Sequence, residues 1–151
     1  MVNTQENYCL LGIDYGIMRT GLAIGNSLTQ TSRPLTTIVT NDDQDKAKQI
    51  KQIVVNWDVQ QIILGKPSLN KNSPTNILLI NKIDKFAHNL AQSLALTVTM
   101  INEDFSSYEA ADLLKQKNIT NYKKQKQKLD SMAACVILQQ YFYEQQKNLD
   151  L

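Results

Sequence analysis

Cysteine is scarce in this 151-residue chain: Cys9 and Cys135 stand alone, too few for a disulfide framework and wrongly spaced for a zinc site. Cys9 sits in an apolar run and Cys135 among Met132, Ala133, Val136 and Ile137, so both read as small buried hydrophobes of a reducing compartment. No apolar run approaches the roughly 20 residues of a membrane span, so no membrane partner is expected. The start MVNTQENY lacks a basic segment and a small-residue cleavage site, which points to the cytosol. Histidine occurs once, as His88, with no nearby serine, cysteine or second histidine, and reads as structural. Neither sign of charge dominates, since 16 Lys+Arg face 14 Asp+Glu for a net +2. The length fits one domain over 1–151, large enough to bury roughly 70% of its unfolded surface without a disulfide or structural metal.

What is present is an ordered alternation of apolar patterns. Tyr8 to Asp14 (YCLLGID) reads as a buried strand ending in a carboxylate, Thr20 to Gly25 (TGLAIG) as its hairpin partner, and Pro34 to Val39 (PLTTIV) as a third strand. Thr40 to Asp43 offers N-caps for a helix carrying Ala47, Ile50 and Val54, which Asn56-Trp57-Asp58 ends. Gln61 to Gly65 (QIILG) is a fourth strand. Ser73-Pro74 then opens a long helix with Ile77, Ile80, Asp84, Ala87, Leu90, Ala91 and Leu94 at helical spacing. Leu96 to Ile101 is a fifth strand, Ser106-x-x-Glu109 caps a helix with Ala110, Ala111 and Leu114, and a last helix spans about Leu129 to Gln146. The order β-β-β-α-β-α-β-α-α predicts an α/β fold: a mixed five-stranded sheet, three leading strands and then alternating helices and strands, with helices on both faces. A doubly wound parallel sheet would need a helix after each early strand.

Three acids end or open these elements. Asp14 follows the most buried strand, with Gly16 two residues on; Glu103 follows the last strand; Asp130 opens the final helix. Each alone fits a turn cap, a solvated loop acid or a helix-start charge. Together they can converge on one rim of the sheet, where their repulsion calls for a cation. Oxygen ligands select Mg²⁺ or Mn²⁺, as one ion or two, and a pair of such ions can activate water and stabilise the leaving oxygen of a phosphodiester. Behind the acids, Lys115 to Lys128 (KQKNITNYKKQKQK) carries six lysines and no acid. Beside an acidic metal site, Lys123, Lys124, Lys126 and Lys128 supply what a polyanion requires; elsewhere they would be a solvated loop. Tyr15, Tyr108 and Tyr122 could stack on bases, though packing roles fit each better.

The segments LLGIDYGIMRTGLAIG, RPLTTI, IILGKPSLN, INEDFSSYEAADLL and KLDSMAACVILQQYF, in this order from about Cys9 to Phe142, resemble the YqgF/RuvX family of Holliday junction resolvases and pre-16S rRNA nucleases. The resemblance implies an RNase H-like fold, with Asp14, Glu103 and Asp130 as catalytic, metal-binding acids. It places Arg19 in the family's stretch after the D-x-G, and Gly65 and Pro67 in its G-x-P turn. It also implies a role in maturing the 5′ end of the small-subunit rRNA precursor. Two positions depart from the family pattern. Asn102-Glu103-Asp104 stands where Asp-Glu-Arg is common, so a phosphate-contacting arginine is replaced by a carboxylate. Lys66 occupies the usually apolar middle of G-x-P, where it could restore a phosphate contact.

The leading expectation is therefore a metal-dependent endonuclease acting on nucleic acid, either pre-rRNA or branched DNA as in a Holliday junction resolvase. The lost arginine motivates a non-catalytic nucleic-acid-binding module instead, although such a module has no use for rim carboxylates that repel phosphate. GIDYG before a hairpin also resembles the first phosphate segment of the actin and sugar-kinase superfamily. That architecture needs two lobes and a second glycine-rich loop, which this chain lacks, so no organic cofactor is expected. A monomer is favoured, since no self-complementary patch is legible, with a dimer as the alternative because resolving a junction would need two symmetric sites.

Overall fold

A computed structural model describes residues 6–67, 74–103 and 122–149. The strands are β1 (Cys9–Asp14), β2 (Arg19–Asn26), β3 (Thr31–Val39), β4 (Val59–Pro67) and β5 (Thr97–Glu103); the helices are α1 (Asp43–Trp57), α2 (Pro74–Leu94) and α3 (Tyr122–Leu149). They build one five-stranded sheet of order β3-β2-β1-β4-β5. β2 pairs antiparallel with both β1 and β3, whereas β1–β4 and β4–β5 are parallel. The mixed sheet with helices on both faces expected from the pattern is the one observed.

Side chains alternate along a strand, so the continuous apolar run of β1 requires cover on both faces. Leu11 and Ile13 join Leu22, Ile62 and Leu64 beneath α1 and α2, which contribute Ile50, Ile83, Phe86 and Leu90. Leu10, Ala23, Ile63 and Ile101 face the other way, against Met132 to Leu138 and Phe142 of α3. His88 lies on the exposed side of α2. Cys135 is buried and Cys9 partly so, both as free thiols.

The α3 face is paved with small residues, and that sets how closely the helix approaches. A Cβ added at Gly21 of β2 would overlap the backbone carbonyl of Asp130, so α3 presses its main chain directly onto the strand. Only glycine leaves that space.

Local signals account for most element ends. Asp42 is the N-cap of α1, its carboxylate accepting from the Gln44 amide at 2.9 Å, and Asp58 ends the helix in a left-handed conformation at φ 51°. β3 begins at Thr31, three residues before Pro34, where the proline-led pattern predicted its start. The strand is an edge, and the register skips a residue beside Pro34, so the missing N–H costs no interior ladder bond. α3 begins at Tyr122 rather than near Leu129, because Lys and Gln between them are good helix formers and nothing breaks the run. Lys123, Lys124, Lys126 and Lys128 thus belong to a helix and not to a loop. Asp130 consequently sits in the third turn of α3, beyond the first-turn reach of the macrodipole, which corrects its reading as a helix-opening charge. Gly65 and Pro67 form the end of β4 rather than a turn. Ser73, the capping box at Ser106 and Glu109, its helix, Asp104, Tyr108 and Lys115 to Asn121 lie outside the described residues.

Candidate active site

Asp14 closes β1 and Glu103 closes β5, two strands that run parallel with β4 between them. Alternation turns both side chains to the α3 face, the same face as Gly12, Ile101 and Gly65. Their carboxyl groups can meet only by crossing over β4. Gly65 is the residue that lets them: a Cβ there would lie 2.9 Å from Glu103 Oε2 and against the Ile137 side chain. Glu103 therefore folds back over a strand position that carries no side chain and hydrogen-bonds Asp14.

Two carboxyl groups hydrogen-bond only when one holds a proton. Burial raises the Asp14 pKa most, and the Glu103 charge, the Glu103 hydrogen bond and the Asp130 charge raise it further, well above the usual carboxylate range. The pair is an acidic site in need of positive charge. Its donors are all carboxylate oxygens, which suits a hard divalent cation.

Asp130 approaches from α3 but is engaged: Arg19 Nε donates to its Oδ2 at 2.7 Å. Arg19 opens β2 and reaches Asp130 because Gly21 allows α3 so close. Its Nη2 is buried with no hydrogen-bond partner among the described residues. The two aspartates and Glu103 thus share one rim, with Arg19 as its cation. Among the described residues no three His, Cys, Asp or Glu side chains are gathered tightly enough to enclose a metal ion. The Asp14–Glu103 contact and the Arg19–Asp130 pair divide the acids into two halves.

Lys66 is not brought to this rim. Adjacent to Gly65, it points to the opposite face of the sheet, where Nζ bonds both oxygens of Asp84 on α2 at 3.1 and 3.4 Å. Lys123 and Lys126 occupy α3 about two turns and about one turn before Asp130. Tyr15 is buried, its ring centroid 5.0 Å from that of Phe86, in the packing role that its sequence context favoured.

A group invisible to motif reasoning lies just behind the rim. Lys46 of α1 has no exposed surface; its Nζ donates to the Ile17 carbonyl at 2.8 Å and to Asp43 Oδ1 at 3.0 Å. The signal was its position one turn before Ile50 on the buried stripe of α1, where a lysine needs a reason.

Gly65→Ala is expected to push the Glu103 carboxyl off Asp14 and so weaken any stabilisation by Mn²⁺ at least about tenfold in apparent affinity, in the range of changes that misorient a metal ligand. A metal titration of the melting temperature checks this, with Gly65→Ala folded and its apo melting temperature as reference.

The mixed sheet of order β3-β2-β1-β4-β5 with helices on both faces is an RNase H-like fold. The chain belongs to the RuvX Holliday junction resolvase family, whose model matches residues 8–144. It is 37% identical over 135 residues to a Methylobacillus flagellatus protein named "Putative pre-16S rRNA nuclease", covering 89% of this chain and 90% of that one. A Burkholderia ambifaria protein of the same name is 33% identical over 132 residues, 87% of each chain. Among solved structures, Thermus thermophilus RuvC in complex with Holliday junction substrate superposes with a TM-score of 0.57 over 92% of this chain and 96% of that one. Identity there is 14%, so that likeness is one of fold.

Proposed function

We propose that this chain is a divalent-metal-dependent endonuclease that hydrolyses phosphodiester bonds in RNA during 5′-end maturation of pre-16S rRNA. The observation that carries the reading is the Asp14–Glu103 carboxyl pair held in contact across Gly65 at the rim where Asp130 arrives. Two acids held in contact at a sheet rim are costly unless a cation offsets their repulsion. Asp14 and Glu103 are the residues that would hold the ion, with Asp130 joining once Arg19 releases it. There a Mg²⁺ or Mn²⁺ ion would supply Lewis-acid stabilisation of the leaving oxygen and would lower the pKa of bound water enough for it to act as nucleophile near neutral pH. Arg19, freed from Asp130, presents a guanidinium to the scissile phosphate, and the lysines of the first turns of α3 hold the flanking backbone. Lys66, paired with Asp84 on the far face, has no part in this grip.

RNA is favoured over a DNA junction because the relatives that match nearly end to end at 33 and 37% identity carry the rRNA name. The family's description names the junction, and the test includes it. End-labelled single-stranded RNA, a precursor-like rRNA fragment and a four-way DNA junction are incubated with the protein in Mn²⁺, Mg²⁺ or EDTA. Metal-dependent cutting of the precursor fragment is the expected result. Cutting of the junction alone moves the substrate to branched DNA. Binding without cutting of any substrate overturns the nuclease and leaves a binding module.

A further inference from the structure

We infer that Lys46 is a positioning residue for the active site, acting through a buried Tyr15–Asp43–Lys46 clamp on the turn that joins Asp14 to Arg19; the inference rests on the nuclease reading above. The turn spans Tyr15 to Met18, and each of its peptide units after Tyr15 has a fixed partner. Thr20 Oγ1, fully buried, accepts from the Gly16 amide at 3.4 Å and donates to the Gly16 carbonyl at 3.1 Å. The Thr40 amide donates to the Met18 carbonyl at 3.0 Å. Between them, the Ile17 carbonyl accepts from Lys46 Nζ at 2.8 Å.

Lys46 is the costly member of this set. An ammonium with no exposed surface survives only if its charge and donors are met. Asp43 Oδ1 lies 3.0 Å away, and the Tyr15 ring sits below Nζ with 4.3 Å to its centroid. Tyr15 donates its hydroxyl to the same Asp43 oxygen at 2.7 Å, so the residue after Asp14 is tied to the head of α1 by both its ring and its hydroxyl. Lys82 approaches Asp43 Oδ2 from α2 at 4.0 Å, leaving the carboxylate between two cations. A methionine or leucine would fill the same volume without a desolvation cost. What a hydrocarbon lacks is the bond to the Ile17 carbonyl, and with it control of the turn.

That turn sets two members of the acidic rim at once. Asp14 is the last residue before it and Arg19 the first after it, so the turn sets where the Asp14 carboxylate and the Arg19 guanidinium stand relative to each other on the rim. Lys46 touches none of the acids of the rim and acts on them only through the turn.

The test compares wild type, Lys46→Met and Tyr15→Phe in steady-state cleavage of the precursor-like RNA with Mn²⁺, alongside amide hydrogen exchange of the full chain. Lys46→Met is expected to lower kcat about 10- to 100-fold, as sub-ångström to ångström misplacement does, with KM changed less than about threefold. The Gly16 and Thr40 amides should exchange at least about tenfold faster while those of Ile62 and Ile63 in β4 keep their protection. Tyr15→Phe, which removes one hydroxyl and keeps the ammonium and ring, should shift both readouts the same way by less, and it carries the test if Lys46→Met does not fold. A merely structural lysine would lower the melting temperature with kcat of the folded protein unchanged, and that outcome overturns the inference. So does unchanged exchange at Gly16 and Thr40. If wild type cuts nothing, the nuclease reading and the positioning role both fail, while faster exchange in the variant would still establish the clamp.

Discussion

Asp14→Asn is expected to abolish metal-dependent cleavage, with a loss of more than about 100-fold, beyond what outer-shell changes around a metal cause. The reason is geometric: Asp14 is the acid fixed most firmly, at the end of a β1 whose Leu10, Leu11 and Ile13 are fully buried. The same substitution should make the metal-free protein behave differently with pH. Unfolded, Asp14 titrates near 3.9, whereas burial and Glu103 raise it well above that in the fold. Between those two values the folded chain holds a proton that the unfolded chain has released. Stability therefore falls as pH rises through the window, by about 1.4 kcal/mol for each unit, and the loss is complete above the folded pKa. In EDTA the wild-type melting temperature should decline as pH rises above about 4 until the folded pKa of Asp14 is passed, and Asp14→Asn should flatten that decline. Addition of Mn²⁺ should reverse the decline in wild type only, since a ligand of the folded state stabilises it. A wild-type melting curve insensitive to both pH and millimolar Mn²⁺ would remove the physical basis of the site.

Gly21→Ala is expected to be the most damaging single methyl group in the protein. Its Cβ would meet not a side chain that can rotate away but the carbonyl of Asp130 and the amide of Ser131 in the middle of α3. Relief requires the helix to lift from the sheet, and α3 covers the sheet face lined by Leu10, Ala23, Ile63 and Ile101. Overpacking that side chains can absorb costs about 1–3 kcal/mol, and a backbone clash should reach or exceed the top of that range. Urea denaturation at constant slope measures it. Activity should fall with stability, because lifting α3 carries Asp130 away from Asp14 and Glu103. Gly25→Ala gives the contrast: its Cβ would meet the tips of Leu138 and Phe142 at 3.1 and 3.2 Å, contacts that yield by small side-chain shifts.

The sheet and its acids were legible along the chain because they depend on short-range pattern. A run such as YCLLGID, apolar on both parities and stopped by Asp14, has few uses besides a doubly covered strand, and three strands before the first helix already fixed the mixed topology. Asp14 and Glu103 announced themselves as carboxylates at strand ends, and the motif order assigned them to a family. Element limits were less legible where the context is tertiary. Pro34 looks like a strand start until β3 proves to be an edge, and the lysines after Tyr122 look like a loop until α3 extends through them.

What no pattern could reveal is which groups meet. Asp14 and Glu103 are 89 residues apart and separated by a whole strand, and their contact depends on one absent side chain at Gly65. Lys66 looked like a partner for phosphate because it is adjacent in sequence, but strand alternation sends it to Asp84 on the other face. Lys46 belongs to no motif, and its burial exists only once the fold closes over it. Periodicity and residue type define each element's two faces, so composition and order suffice for the architecture. Distances across strands, the contact of two acids and the burial of a charge arise only when distant segments pack, and there the chemistry of this site was decided.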